Sequence, residues 1–288
     1  MSELLQAILV VVLTVLVALR LWRRHDERAA AVAWDRLAAM PCDLPERFDP
    51  VMVAGLPEPA RRFFGFAIAP GTRLSPVVEI SMAGELSLGT KEAPRYQPMR
   101  ASQLLCPPHG LVWRLAAGRG ALRIAGADAM EGDRSWTRFR LTGLLPIVRA
   151  GGGPDHLRSA FGRVVAEAAF WAPAALLPQS GVAWEAIDAD TARATVRHRG
   201  MTQTVDVRVD AQGRPLEVTI PRWTDANPER AFRLQPFGGT LADFREVDGY
   251  RLPFRVEGGN FFGTERYFPF YRARVESIRI LPAPRSRT

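Results

Sequence analysis

The sequence predicts an α+β protein: an N-terminal transmembrane helix, then a large antiparallel sheet or open barrel packed on one central helix. Three observations predict it. Residues Leu4 to Leu19 form an apolar run broken only by Gln6 and Thr14. From Val77 onward, short stretches of strand-like residues recur roughly every 8–12 residues and are turned by Gly and Asp, the texture of a meandering sheet. One alanine-rich stretch, Asp155 to Phe170, holds no glycine except Gly162 and reads as a helix.

The apolar run comes first. A bilayer core is crossed by about 20 apolar helical residues, and Leu4 to Trp22 reaches that length. A secretory signal carries a positive start and a small-residue cleavage site after its core. Here the start is Met1-Ser2-Glu3, and Ala29-Ala30-Ala31 lies beyond Arg20, Arg23, Arg24 and Arg28, so a retained single-pass membrane anchor is expected. The arginines on the C-terminal flank, opposite Glu3 on the other, favour a cytoplasmic domain, and Trp22 suits the membrane interface. The expected divisions are an anchor at 1–22, a juxtamembrane helix and linker at 23–54, a single α+β domain at 55–281, and a flexible tail at 282–288.

Ala33, Trp34, Leu37 and Ala38 sit at helical spacing, so Arg23 to Met40 continues the first helix or forms a second one near the membrane. Pro41, Pro45 and Pro50 break the pattern. Pro57 to Ile68 is a short helix with Phe63, Phe64 and Phe66 as its apolar side, ended by Pro70-Gly71. Val77 to Met82 and Gly84 to Leu88 read as a hairpin around Ala83-Gly84. Arg100 to Cys106, Gly110 to Ala117, Ala121 to Ala127 and Ser135 to Leu141 continue the strands, the last with its aromatic and aliphatic residues expected on one face. After the Asp155 helix, ended by Trp171-Ala172-Pro173, strands are expected at Val182 to Ile187, Thr191 to Arg197, Thr202 to Val209 and Pro215 to Pro221. Four more fit Gly239 to Val247, Tyr250 to Glu257, Glu265 to Tyr271 and Arg274 to Leu281. Asp210-Ala211-Gln212-Gly213 and Asp248-Gly249 supply tight turns.

Composition excludes several classes. Hydrophobic residues at 47% and charged residues at 24% are those of a globular protein with a substantial core. The net charge is +8, of which the first 28 residues supply +1, and Lys91 is the only lysine. The arginines are spread among acids without a dense basic block, so nucleic acid is not an expected partner. Cys42 and Cys106 lie far apart and read as two reduced thiols, and His25, His109, His156 and His198 are equally scattered. No metal site and no cofactor are expected from such spacings.

Arg163 and Glu167 stand four apart on the predicted helix and share a face. As a pocket pair they would give Glu167 acid or base capacity; the plainer reading is a surface ion pair worth a few tenths of a kcal/mol. The segment Gly126 to Asp133 lacks the alternate oxygen ligands of a cation loop, and Asp128 is expected in a buried hydrogen bond at a sheet edge. Gly151-Gly152-Gly153 lacks both the P-loop and the dinucleotide spacing and reads as a connection. No Gly-x-Ser-x-Gly elbow appears. The aromatics remain. On a concave sheet they would line an apolar cavity suited to a lipid-like ligand; otherwise they fill the core.

Several segments together resemble a bacterial family catalogued only as a domain of unknown function, over about residues 55 to 281. They are Gly55-Leu56-Pro57-Glu58-Pro59-Ala60-Arg61-Arg62-Phe63-Phe64, Gly126-x-Asp128 with Gly132, and Arg163-x-x-x-Glu167 leading to Trp171-x-Pro173. Val182-Ala183-Trp184-Glu185, Asp248-Gly249-Tyr250-Arg251-Leu252-Pro253 and Tyr271 complete the set. The family has no established activity, so the resemblance implies no catalytic residues. The order of strands around a helix is also similar to the lipoprotein-carrier fold, a curved half-barrel that holds acyl chains against helices. That likeness implies a periplasmic location, against the charge bias of the flank.

The expected function is a membrane-anchored module that binds a lipid or other apolar ligand in the concavity of its sheet. Trp113, Phe170, Trp184 and Tyr271 would line the cavity, with Asp128, Arg163, Glu167 and Arg222 as polar contacts. A hydrolase-like enzyme using Glu167 and Asp128 as paired carboxylates is the rival, and requires both to converge in one cleft. A structural protein that binds an unknown protein partner is the third reading, favoured by an exposed apolar patch without a cavity.

Overall fold

The computed structural model describes residues 2–282 and 284. Apart from Pro282 and Pro284, the expected tail lies outside the described residues. The first helix, α1 (Ser2–Ala38), is continuous, because no glycine or proline interrupts it before Pro41. A second helix, α2 (Glu58–Ala67), buries Phe63 and Phe64.

Six strands follow: β1 (Val78–Ser87), β2 (Tyr96–Cys106), β3 (Gly110–Ala117), β4 (Ile124–Glu131), β5 (Arg134–Leu141) and β6 (Leu145–Gly151). Helix α3 (Pro154–Trp171) leads to seven more: β7 (Ala183–Ala186), β8 (Thr191–His198), β9 (Met201–Val209), β10 (Pro215–Thr224), β11 (Arg233–Val247), β12 (Tyr250–Asn260) and β13 (Phe268–Ile280). All thirteen form one antiparallel sheet in the order β6-β5-β4-β3-β2-β1-β13-β12-β11-β10-β9-β8-β7. Each half is a meander of sequential neighbours. The single long-range pairing, β1 with β13, joins the two halves at the middle. The edges β6 and β7 are linked through α3, which crosses the inner face against β9 and β10 on one arm and β2 to β5 on the other.

The two faces have separate cores. The inner one packs α2 and α3 on residues such as Ile80, Met82, Leu105, Val207 and Ile220. The outer one packs Ala30, Ala33 and Leu37 of α1 on Val77, Leu104, Cys106, Val112, Ala127 and Ala129. The second half of α1 is therefore a docked helix, with Asp26 fastened by Arg138 at 3.0 Å, by Arg149 at 2.7 Å and by Arg140.

Three strand expectations need correction, and one strand lies where none is expected. Ala83-Gly84 is not a turn: β1 runs straight through it, and Gly84 is required because a Cβ there would stand 2.0 Å from the Arg272 carbonyl oxygen of β13. Glu265 to Tyr271 and Arg274 to Leu281 are not two strands but one, β13, preceded by a turn. Leu145 to Gly151, where no strand is expected, is the edge strand β6; it takes in Gly151, the first of the three glycines read as a connection, which at φ 128° ends the strand where a Cβ would strike the Ser135 carbonyl oxygen. Trp136 and Phe139 do not share a face, since a period of two separates them: Trp136 packs beside α1 and Phe139 faces inward.

The two arms meet where the β2–β3 and β8–β9 turns bring His109 and His198 edge to face, 5.0 Å between ring centres. Burial, then the Arg199 charge, holds His109 below the ordinary histidine value of 6.5, and burial, His109 and Arg199 do the same for His198. The unfolded chain therefore binds these protons at higher pH than the folded one. Stability from the pair is fully present above pH 6.5 and is lost as pH falls through the lowered folded values. The melting temperature is expected to drop on acidification below that point. Replacing both histidines with glutamine should flatten the slope; an unchanged slope would place the titration elsewhere.

Candidate functional site

A cavity of about 360 Å³ lies between α3 and the inner face of the sheet. Its wall is apolar: Leu86 and Leu115 from one arm, Val218 and Leu241 from the other, and Phe170 and Trp171 from α3. Of the residues singled out in the sequence, Trp113, Asp128, Arg163, Glu167, Phe170, Arg222 and Tyr271 all line it. Trp184 does not. It packs tilted against Phe63 and edge-on against Phe64 of α2 and donates its indole N–H to the Leu176 carbonyl at 2.9 Å, where it helps pack α2 against the domain.

The polar end of the cavity is built from one row of the sheet. Gln103, Trp113, Asp128 and Thr137 are successive cross-strand partners on β2, β3, β4 and β5. Over this row α3 lays His156, Arg163, Glu167 and Phe170, whose spacing puts them on one helix face. Arg163 donates Nε to Glu167 Oε1 at 2.6 Å, Nη1 to Asp128 Oδ2 at 3.0 Å and Nη2 to Gln103 Oε1 at 3.2 Å. Gln103 returns its Nε2 to Glu167 Oε2. Thr137 donates its hydroxyl to Asp128 Oδ1 at 2.7 Å. That spends the only hydroxyl hydrogen of Thr137, so the His156 Nε2 contact at 3.0 Å is an N–H donated to Thr137. In neutral His156, Nδ1 then accepts from Ser135 at 2.7 Å.

The Arg163–Glu167 pair is thus a buried one and not a surface pair, with side-chain exposures of 15% and 12%. Burial works against the Arg163 charge, but Glu167 and Asp128 more than offset it and hold its pKa above the ordinary arginine value. The two carboxylates do converge in one cleft, yet all four of their oxygens already accept hydrogen bonds from the protein. As arranged, each oxygen accepts one hydrogen bond from the protein, and the two carboxylates share Arg163 as their counter-charge.

Arg222, on β10, differs. It faces the cavity, stacks its guanidinium 4.7 Å from the Phe237 ring centre, and makes no hydrogen bond to any described residue. Burial first, then the nearby Arg163 cation, lowers its pKa to about 10, so it stays charged at neutral pH. The indole N–H of Trp113 is also buried without a partner. Both groups can only donate. Among the described residues no cluster of His, Cys, Asp or Glu is arranged to hold a metal ion.

Gln103, Ser135, Thr137 and His156 were not singled out in the sequence. Gln103 alone left a trace there, as a polar residue at an inward position between Ala101 and Leu105.

No curated protein matches the sequence. Two solved structures are similar to parts of this chain. One is a LolA superfamily protein from Nitrosomonas europaea, 15% identical over 72% of this chain and 87% of that one, with a TM-score of 0.39. The other is assigned to outer membrane lipoprotein sorting in Vibrio parahaemolyticus, 12% identical over 77% and 88%, with a TM-score of 0.35. The family resemblance expected over residues 55 to 281 is found slightly earlier in the chain: residues 46–273 match DUF6544, a family of unknown function, and the chain belongs to that family.

Proposed function

We propose that the protein is a membrane-anchored binding module whose cavity takes a single-chain amphiphile, acyl chain along the apolar wall and an oxygen-rich head at Arg222. One observation carries this reading: a charged, half-buried Arg222, its Nε buried and the side chain without a hydrogen bond to any described residue, at the polar end of an otherwise apolar cavity. A buried donor left unmade costs about 1–3 kcal/mol, more for a charged group, and a ligand oxygen removes that cost. The volume, at the small end of the ~300–1,000 Å³ typical of ligand sites, suits one chain better than two.

The apolar half of α1 is long and apolar enough to cross a membrane and is not covered by the domain. The docked half of the same unbroken helix supports a retained anchor, because cleavage within it would sever packing that holds the outer core together. Residues 1–22 are then the anchor, and the flanking arginines favour the cytoplasmic side, which protease protection in sealed membrane vesicles reads.

Native mass spectrometry of the full-length protein in mild detergent, with extraction of what co-purifies, tests the proposal. A bound fatty acid or related amphiphile is expected. Arg222→Met should weaken that binding about tenfold or more, the loss of a charge-assisted hydrogen bond. The same variant should raise the melting temperature of the empty protein, since it removes a buried charge without orphaning a partner. A protein that arrives empty and stays empty when offered oleate would overturn the reading.

A further inference from the structure

The exposed apolar side chains of the domain are concentrated at one end of the N-terminal arm. Leu122 (72% exposed) is in the β3–β4 turn, Leu145 (54%) follows the β5–β6 turn, and Leu88, Ile147 and Val148 lie beside them. Leu88, Ile147 and Val148 also line the cavity, so this end is its rim. The opposite end is closed by α2 and the turn Pro173–Leu176, packed in the inner core.

Helix α1 leaves the domain at the same rim. Arg36 reaches Glu131, at the far end of β4, at 3.2 Å. Asp26 lies against Arg149, Trp22 is stacked 4.6 Å from the Arg149 guanidinium, and the Arg23 guanidinium lies over Gly143 in the β5–β6 turn. From Arg36 to Arg23 the helix rises about 20 Å, close to the roughly 23 Å of β4 from Glu131 to Ile124. The docked half therefore runs the length of the strands, and the apolar half continues past the rim.

We infer that the rim rests in the membrane that α1 enters, so that a lipid passes between bilayer and cavity without crossing water. The inference rests on the reading of α1 as a retained anchor. The occupant of the apolar rim is the bilayer leaflet itself, and two observations on the rim select it. The rim is continuous with the emerging anchor, at the level of Leu21 and Trp22. Its apolar residues are framed by cations: Arg119 and Arg123 flank Leu122 in the chain, and Arg23 lies over Gly143 just before Leu145. Apolar tips ringed by arginine suit an interface with anionic head groups. Val51 and Ile187 are exposed too, but lie at the opposite end beside α2 and in the β7–β8 turn, and Phe232 and Leu234 are exposed on the other arm, where β10 leads into β11.

The test uses full-length protein in vesicles of phosphatidylethanolamine and phosphatidylglycerol, with a photoreactive residue placed singly at Leu122, Leu145, Val51 or Ile187, and at Leu13 as the membrane control. Lipid adducts are expected at 122 and 145, at least roughly tenfold above 51 and 187, as for side chains held about 5–10 Å into the head-group region. Adducts at 13 but not at 122 and 145, or protein–protein cross-links there instead, overturn the inference. Leu122→Asp with Leu145→Asp should slow transfer of a fluorescent fatty acid from vesicles by roughly tenfold, through the cost of charge at the interface, while loading from detergent stays unchanged. The two readings fail separately. Adducts at the rim of a protein with an empty cavity uphold the seating of the rim in the membrane and overturn the lipid's passage together with the proposed ligand; a loaded cavity without rim adducts keeps the ligand and overturns the seating.

Discussion

Arg163→Met is expected to destabilise the domain by about 3–5 kcal/mol, the range seen when one partner of a buried ion pair is removed. Arg163 is the one cation hydrogen-bonded to both Asp128 and Glu167, and it also holds the Gln103 carbonyl oxygen. Without it, two carboxylates of low exposure face each other across a cavity whose walls are apolar. A domain of this kind has about 5–15 kcal/mol in all, so the variant should melt far below the parent or fail to accumulate. Adding Asp128→Asn and Glu167→Gln to Arg163→Met should restore much of the loss, because the orphaned charges go with their partner. Thermal melts of the single and triple variants decide the matter. A single variant within about 1 kcal/mol of the parent, the value of an exposed pair, would mean that water reaches the network freely.

Asp26→Ala should release the second half of α1 while leaving the sheet folded. The Asp26 side chain is 9% exposed and holds three arginines, of which Arg140 is itself 6% exposed. Removing the carboxylate that holds all three leaves those cations repelling one another beneath the helix, again about 3–5 kcal/mol. The loss should stay local. Ala30, Ala33 and Leu37 belong to an outer core separate from the inner one that α3 and the cavity occupy. Hydrogen exchange is therefore expected to accelerate across residues 24–38 and to remain slow in α3, as when one cooperative unit opens alone. Equal acceleration in both would show that the two cores melt together. Because this docked segment sets where the anchor leaves the domain, the variant should also loosen the rim's hold on the membrane.

Much of the architecture is legible in local pattern. The uninterrupted run of α1, the helix α3 between two series of strands, and turns such as Asp210-Ala211-Gln212-Gly213 follow from periodicity and turn chemistry within a few residues. The Arg163–Glu167 pair is local too, since four residues along a helix return to the same face. The misread strands mark the limit. Gly84 looks like a turn residue until β13 is known to pass 2.0 Å from where its Cβ would be.

The sequence by itself determined the α+β class, the membrane-length helix, the helix that carries Arg163 and Glu167, and most of the aromatic and charged residues that came to line the cavity. Only the tertiary structure decided that Gln103, Trp113, Asp128 and Thr137 form one row beneath Arg163, that Trp184 packs on α2 away from the cavity, that Arg222 makes no hydrogen bond to any described residue, and that α1 docks on the outer face. The reason is physical. Helix and strand periods are properties of neighbouring residues, whereas strand register, and which buried groups find partners, are settled by contacts between segments far apart in the chain.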